Sequence, residues 1–183
     1  MLAFIGVRPG MHAVDISAGG GYTAELIARA VGPKGRVYAQ SAKPSPRLVD
    51  RVESLPNIIV LARKLEDPIP GEVSALDLAT LMFNYHDFSQ VDRSAMNRAV
   101  LKALKPGGLY VIADHSGRPG TGISESRTLH RIEEAFLRKE VEAAGFRLAE
   151  EGSFLRNPGD PRDRETPEPA QPKDEFVLKF VKP

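Results

Sequence analysis

The chain has no cysteine and no tryptophan. Without cysteine there is no disulfide, no thiol nucleophile and no cysteine-ligated zinc or iron–sulfur centre, although this assigns no compartment. Charge of one sign is also lacking: 25 Lys and Arg face 24 Asp and Glu, a formal net charge of +1. Such a balance supplies no basic footprint for nucleic acid and no pull toward an anionic membrane. No apolar run approaches the roughly 20 residues that cross a bilayer. The opening run Met1–Val7 has neither a basic n-region nor a long h-region, and so does not read as a signal peptide. No internal repeat is present.

What remains is an ordinary globular composition of 183 residues, 42% hydrophobic and 27% charged, the size of one domain. Ala13–Ile16 is a short apolar strand that runs into glycines. Thr23–Ala30 carries Leu26, Ile27 and Ala30 at helical spacing and stops at Gly32-Pro33. Arg36–Ala39 is a second strand. Ser45-Pro46 opens a helix with proline at its first position, and Leu48, Val49, Val52 and Leu55 mark its buried face. Asn57–Ala62 and Ala75–Phe83 are the next strands. Asp92–Leu104 is a helix ended by Lys105-Pro106-Gly107-Gly108, and Leu109–Ala113 is strand five. Ser124–Ala144 reads as one long helix closed by Gly145. Phe146–Leu155 and Phe176–Val181 follow with no helix between them, so they form an antiparallel hairpin at a sheet edge. Residues 156–173, rich in proline and charge, read as a solvated loop or, less favoured, a lid over the substrate side. The alternation of strands and helices predicts a single α/β domain over 1–183, an open and mostly parallel sheet with helices on both faces.

Asp15-Ile16-Ser17-Ala18-Gly19-Gly20-Gly21-Tyr22-Thr23 joins the first strand to the first helix. Glycines allow a tight turn and close approach of a ligand to main-chain N–H groups, and the helix N-terminus behind them adds partial positive charge. A nucleotide cofactor is the guest such a loop suits. Gly19, Gly21 and Ala24 fit the dinucleotide pattern G-x-G-x-x-A, a weak signal by itself. An NAD site also wants an acid some 20 residues on, and the second strand ends in Gln40. Asp15 instead suits a cofactor with an ammonium group, as S-adenosylmethionine has.

Asp15–Gly21 resembles the first motif of class I methyltransferases, an acid followed by x-G-x-G-x-G. Lys105-Pro106-Gly107-Gly108, Ala143-Ala144-Gly145-Phe146 and the terminal hairpin extend the resemblance over nearly the whole chain. The last third is similar to a family of bacterial predicted methyltransferases of uncertain substrate. It carries Asp114-His115-Ser116, Leu129-His130-Arg131, Asn157-Pro158-Gly159-Asp160 and Asp174-Glu175-Phe176. The resemblance implies a Rossmann-like sheet of seven strands, order 3-2-1-4-5-7-6 with strand seven antiparallel. It implies S-adenosyl-L-methionine as cofactor, bound by Asp15, Ser17, Ala18, Gly19, Gly20, Gly21, Gln40, Leu65, Glu66 and Asn84. Three departures weaken that site. Ser17 replaces a glycine and is tolerated if its backbone angles are ordinary. Gln40 replaces the ribose-binding acid, or merely caps a strand. Lys64 falls where an adenine-binding acid is usual, leaving Glu66, Asp67 or the backbone of Leu65 to substitute.

Methyl transfer asks mainly for positioning, with a base only where the acceptor must lose a proton. His86 is the candidate base or acceptor-orienting group, with Tyr85 and His115 lining the acceptor side. A histidine held by Asp87 is the plainer reading of His86. His86, His115 and Asp114 hold the pieces of a metal site without supporting spacing, so no metal is assigned. His12 reads as structural. Arg127 and Arg131 face solvent or, less readily, an anionic substrate. The expected reaction is methyl transfer to a small molecule, with neither nucleic acid nor membrane as partner and a homodimer admitted. The alternatives are a degenerate fold that binds the cofactor without catalysis and, more remotely, a nicotinamide oxidoreductase. Only Met1–Gly10 precedes the first strand, so an open, partly exposed cofactor site is expected. Location is cytoplasmic by default, with an export segment ahead of Met1 left open.

Overall fold

The computed structural model describes residues 1–183. The elements are α1 (Leu2–Ile5), β1 (His12–Ile16), α2 (Tyr22–Val31), β2 (Arg36–Gln40), α3 (Pro46–Ser54), β3 (Ile58–Leu61) and β4 (Leu76–Met82). After a 3-10 turn at Tyr85–Asp87 come α4 (Arg93–Ala103), β5 (Leu104–His115), α5 (Ser126–Leu129), α6 (Glu134–Ala143), β6 (Arg147–Gly152) and β7 (Glu175–Val181). The sheet has the expected order, β3-β2-β1-β4-β5-β7-β6. Only β7 runs against its neighbours, pairing antiparallel with both β5 and β6.

Local chemistry sets the helix starts. The Ser45 hydroxyl accepts from the Leu48 N–H and Pro46 takes the first turn of α3; the Asp92 carboxylate accepts from the Ala95 N–H to cap α4. In the strands, the period of two divides side chains between two layers. Val14, Ile16, Ala79, Leu81, Tyr110 and Ile112 enter a 21-residue core under α4 and α6. Ala13, Leu78, Val111, Ala113 and Val177 enter a 15-residue core under α1, α2 and α3. Helix α1 lies over β7, with Phe4 edge-on to Phe154 and Lys179 above its ring. No helix is long and apolar enough to cross a membrane.

Two expectations about the last third are corrected. The stretch Ser124–Ala144 is not one helix: α5 ends at His130, whose backbone is left-handed at φ 50. Ile132 then pairs as an isolated parallel bridge beside Ser116, donating to the His115 carbonyl and accepting from the Gly117 N–H. The apolar spacing of Leu129, Ile132 and Phe136 mimics a continuous helix, but the chain of β5 runs on past its pairing with β4, and the free His115 carbonyl and Gly117 N–H there take Ile132 as a bridge instead. Arg131 is therefore neither solvent-facing nor substrate-facing. It is fully buried, donating from Nη1 to the Ser116 carbonyl and from Nε to the Arg164 carbonyl, and pairing with Asp160 at 2.9 Å.

The loop 156–173 is correspondingly not a freely solvated connection. Asp160 accepts from the Asp174 N–H, Asp174 accepts from the Asn157 N–H, and Arg162 pairs with Asp174 at 2.8 Å. Its exposed stretches, residues 163–166 and 168–170, flank the buried Pro167. Removing one member of a buried pair strands the other charge, at about 3–5 kcal/mol. Asp160→Ala should accordingly lower unfolding stability by about that amount in urea titrations. Pairing Asp160→Leu with Arg131→Met should recover most of the loss, because no unpaired charge then remains.

Candidate active site at the switch point of the sheet

Strand order reverses between β1 and β4, so their C-terminal ends open a crevice at which ligands of such sheets bind. The loop Ser17–Gly21 forms one lip. Gly21, at φ 78, starts α2, and a Cβ there would stand 2.8 Å from Leu48 Cδ1 and 3.2 Å from Arg51 Cδ. Glycine is thus required at 21 by the packing of α3. Gly19 differs: it is exposed at φ 55, and the nearest atom to an added Cβ is the Ser17 carbonyl at 4.0 Å. The space above Gly19 is open for a ligand to approach the backbone. The Ser45 hydroxyl donates to the Gly19 carbonyl, at 3.1 Å, and steadies this lip from α3.

Ser17 does not have ordinary backbone angles. It sits at φ 54, a left-handed conformation that costs a non-glycine residue about 1–2 kcal/mol. Gln40 holds it there. The Gln40 Oε1 accepts from the Ser17 N–H at 2.8 Å, its backbone carbonyl accepts from the Ala18 N–H at 2.8 Å, and its Nε2 donates to the Arg63 carbonyl at 2.7 Å. Gln40 is fully buried, and both ends of its side chain are committed to the loops after β1 and β3. It is a tie between three loops, with one bond at each end of its side chain. Leu65 and Glu66 lie half-buried in the turn after β3, where Asp67 donates its N–H to the Lys64 carbonyl.

Asp15 lies beneath the lip. The β1–β4 register places it opposite Thr80, whose hydroxyl donates to Asp15 Oδ1 at 2.7 Å. None of the ion pairs in the protein includes Asp15. Burial pushes its carboxyl up to about 7, against the smaller downward pull of the Thr80 hydroxyl and the Ala24 N–H. Thr80 was not singled out from sequence, although a polar residue within the apolar run Leu78–Met82 of β4 was the available signal. A buried acid without a cation, under an open glycine turn, fits a ligand that brings its own positive charge.

The opposite lip follows β4 and β5. Tyr85 is not part of an acceptor pocket: it is wholly buried in the α4–α6 seam, accepting from Asn97 Nδ2 at 2.9 Å and facing Glu140 at 3.1 Å. Glu140 is in turn gripped by Arg93 through two bonds of 2.8 and 2.7 Å. Asn84 donates to Asp87 at 3.3 Å. His86 is held chiefly by Asp114, with Asp87 second. Its N–H donates to Asp114 Oδ2 at 2.9 Å, and its Nδ1 lies 2.6 Å from Asp114 Oδ1. Burial lowers the pKa of the imidazole, but the bond to and charge of Asp114, then the charge of Asp87, outweigh it and leave the pKa above its ordinary value. His115 stacks on Phe83 and lies 2.9 Å from Glu175. His130, on the broken helix, stands edge-on to His86 with ring centroids 5.6 Å apart. The sequence offered no local sign that Asp114 would serve His86, since 28 positions separate them. His12 is exposed at the start of β1, its backbone N–H donating to Asp77.

The architecture is that of the class I S-adenosylmethionine-dependent methyltransferase fold. A S-adenosylmethionine-dependent methyltransferase from Aquifex aeolicus aligns over 98% of this chain and 86% of its own, with TM-score 0.73 and 20% identity. The Burkholderia thailandensis 1,6-didemethyltoxoflavin-N1-methyltransferase, solved with S-adenosylhomocysteine, aligns over 99% and 74%, with TM-score 0.70 and 18% identity. The cyclase SpnF aligns over 100% and 78%, with TM-score 0.75 and 16% identity. No family model matches the chain. In sequence it is similar to the ubiquinone/menaquinone biosynthesis C-methyltransferase UbiE of Laribacter hongkongensis, 32% identical over 121 residues, 63% of this chain and 47% of that protein. The UbiE of Burkholderia vietnamiensis is 29% identical over the same shares. The chain spans about half the length of these curated relatives.

The Gln40 tie makes a direct prediction. Gln40→Glu restores the acid usual at this place, but a carboxylate cannot donate to the Arg63 carbonyl. A buried acceptor then faces another acceptor, and the free protein should lose about 1–3 kcal/mol in denaturant titrations.

Proposed function

We propose that the chain is a S-adenosylmethionine-dependent methyltransferase that acts on a small molecule. The observation that carries the reading is Asp15: a buried carboxyl with no cationic partner, near the end of β1 from which the glycine turn leaves. Asp15 meets the ammonium end of the cofactor, while the N–H groups of Gly19 and Gly20 and the start of α2 line its carboxylate side. Gln40, Leu65 and Glu66 shape the adenosine side, and Asn84 closes the crevice from β4. When bound, the cofactor supplies an electrophilic methyl group on sulfonium. His86, fixed by Asp114, and His115, stacked on Phe83, orient the acceptor on the other lip. Positioning of this kind is most of what methyl transfer requires. The UbiE names make an acceptor from quinone biosynthesis the first to assay.

A second reading rests on Gln40, a buried neutral amide already bonded to the loops after β1 and β3. On it the fold binds the cofactor weakly and does no methyl transfer. Thermal unfolding with S-adenosylhomocysteine, with NAD as control, tests the cofactor binding that both readings need. Ligand at 100 times its dissociation constant adds about 2.7 kcal/mol of stability, which appears as a higher melting temperature. No shift at millimolar S-adenosylhomocysteine sinks the transferase. Where the shift is present, conversion of S-adenosylmethionine to S-adenosylhomocysteine with candidate acceptors separates the two, transfer supporting the enzyme and its absence across them the binding-only fold.

Asp15 also predicts how that binding depends on pH. Its raised pKa means that its contribution to folding is full below pH 3.8 and is lost as pH rises through about 7. An ammonium group needs the ionised form, so binding below pH 7 must release the proton. S-adenosylhomocysteine affinity should rise up to about tenfold per pH unit toward pH 7 and then level off. Titration calorimetry of the wild type and Asp15→Asn checks this, the variant showing no such slope.

A further inference from the structure

We propose that His86, Asp87 and His130 form a binding site for a first-row divalent transition ion such as Zn2+, on the lip after β4. One donor atom from each lies within 4.8 Å of the other two. His86 Nε2 is 3.2 Å from Asp87 Oδ1, and His130 Nδ1 is 3.5 Å from the same oxygen. Neighbouring donors around a tetrahedral ion with bonds of about 2.0–2.1 Å stand about 3.3 Å apart. Two edges of the triangle are therefore already near the required length. The third closes by a small swing of His130, whose side chain is 45% exposed.

The shell behind these donors supports a ligand role. Asp114, fully buried, takes the Nδ1 side of His86 at 2.6 Å, which leaves the Nε2 lone pair directed toward Asp87 and His130. A carboxylate behind a histidine is the usual device for orienting a metal-binding imidazole and raising its basicity. Asp114 is itself held by the N–H groups of His86 and His115, so the orientation is rigid. On the other side, the left-handed His130 and the bridge of Ile132 to Ser116 turn His130 off the helix line and toward Asp87. Backbone strain of this kind collects at functional sites. This set differs from the residues that sequence brought together: His115 is engaged with Glu175, and Asp114 stands behind a ligand.

Two imidazoles and one carboxylate favour a first-row transition ion over Mg2+ or Ca2+, which take oxygen ligands. Three protein donors leave at least one position open on the ion. On the methyl-transfer reading, on which this step alone rests, that position selects an acceptor that binds through oxygen. Ion binding itself is independent of that reading.

The full chain, stripped of metal by chelator and titrated calorimetrically with Zn2+, tests the site, together with the visible spectrum of the Co2+ form. One ion per chain is expected, with ligand-field absorption of nitrogen- and oxygen-bound Co2+. His130→Ala and Asp87→Ala change exposed side chains, so each should keep the metal-free melting temperature while lowering affinity at least roughly tenfold. His12→Ala, at the far end of β1, should bind as the wild type. No binding by the wild type, unchanged binding by both site variants, or loss on His12→Ala overturns the site. Because no S-adenosylhomocysteine is present, failure here and failure of the transferase reading are seen separately.

Discussion

Because β1 and β4 pair in parallel, with Asp15 opposite Thr80, every strand end that carries chemistry reaches the same edge of the sheet. The glycine turn leaves β1 there, Gln40 ends β2 there, and the segments Phe83–Asp87 and Asp114–Ser116 leave β4 and β5 there. Parallel pairing is also what buries both faces of the sheet between helices. It takes Asp15 out of water before any ligand arrives, and so makes a carboxyl that prefers to be neutral unless a cation joins it.

Two departures from the family pattern turn out to be one structural unit. Ser17 occupies a left-handed conformation natural to glycine, and Gln40 is the residue whose side chain and backbone bind the two N–H groups that follow the bend. An amide can do this while donating to the Arg63 carbonyl; a carboxylate cannot. The loops after β1, β2 and β3 are thereby locked together. The lock preorganises the glycine turn.

A second unit organises the opposite lip. Arg131, Asp160 and Asp174 are buried together, and they bind the long connection before β7 to the end of β5. The same anchoring pulls Ile132 alongside Ser116 and breaks the helix at His130. As a result His86 and His130 face each other across Asp87, with Asp114 behind His86. Stability and site geometry depend here on the same buried polar contacts, which is why the connection is rich in charge yet well attached.

The succession of strands and helices, the antiparallel last strand and the glycine turn were readable from the chain by local rules, whereas the strand order came from the resemblance to class I methyltransferases. Apolar runs of strand length, caps such as Ser45 and Asp92, and a hairpin without a helix leave few topologies. Asp15 and His86 stood out for the same reason, as polar groups placed where a strand ends. Tertiary contacts decided the rest. The roles of Gln40, Tyr85 and Arg131 depend on partners 23 or more positions away in the cases of Gln40 with Arg63, Tyr85 with Glu140 and Arg131 with Arg164. Helical spacing around Ile132 was present but lost to the backbone groups of His115 and Gly117, left unpaired where β5 runs on past β4. A side chain's role in such a site is set by which buried donors and acceptors remain unpaired once the sheet has formed, and no local pattern records that.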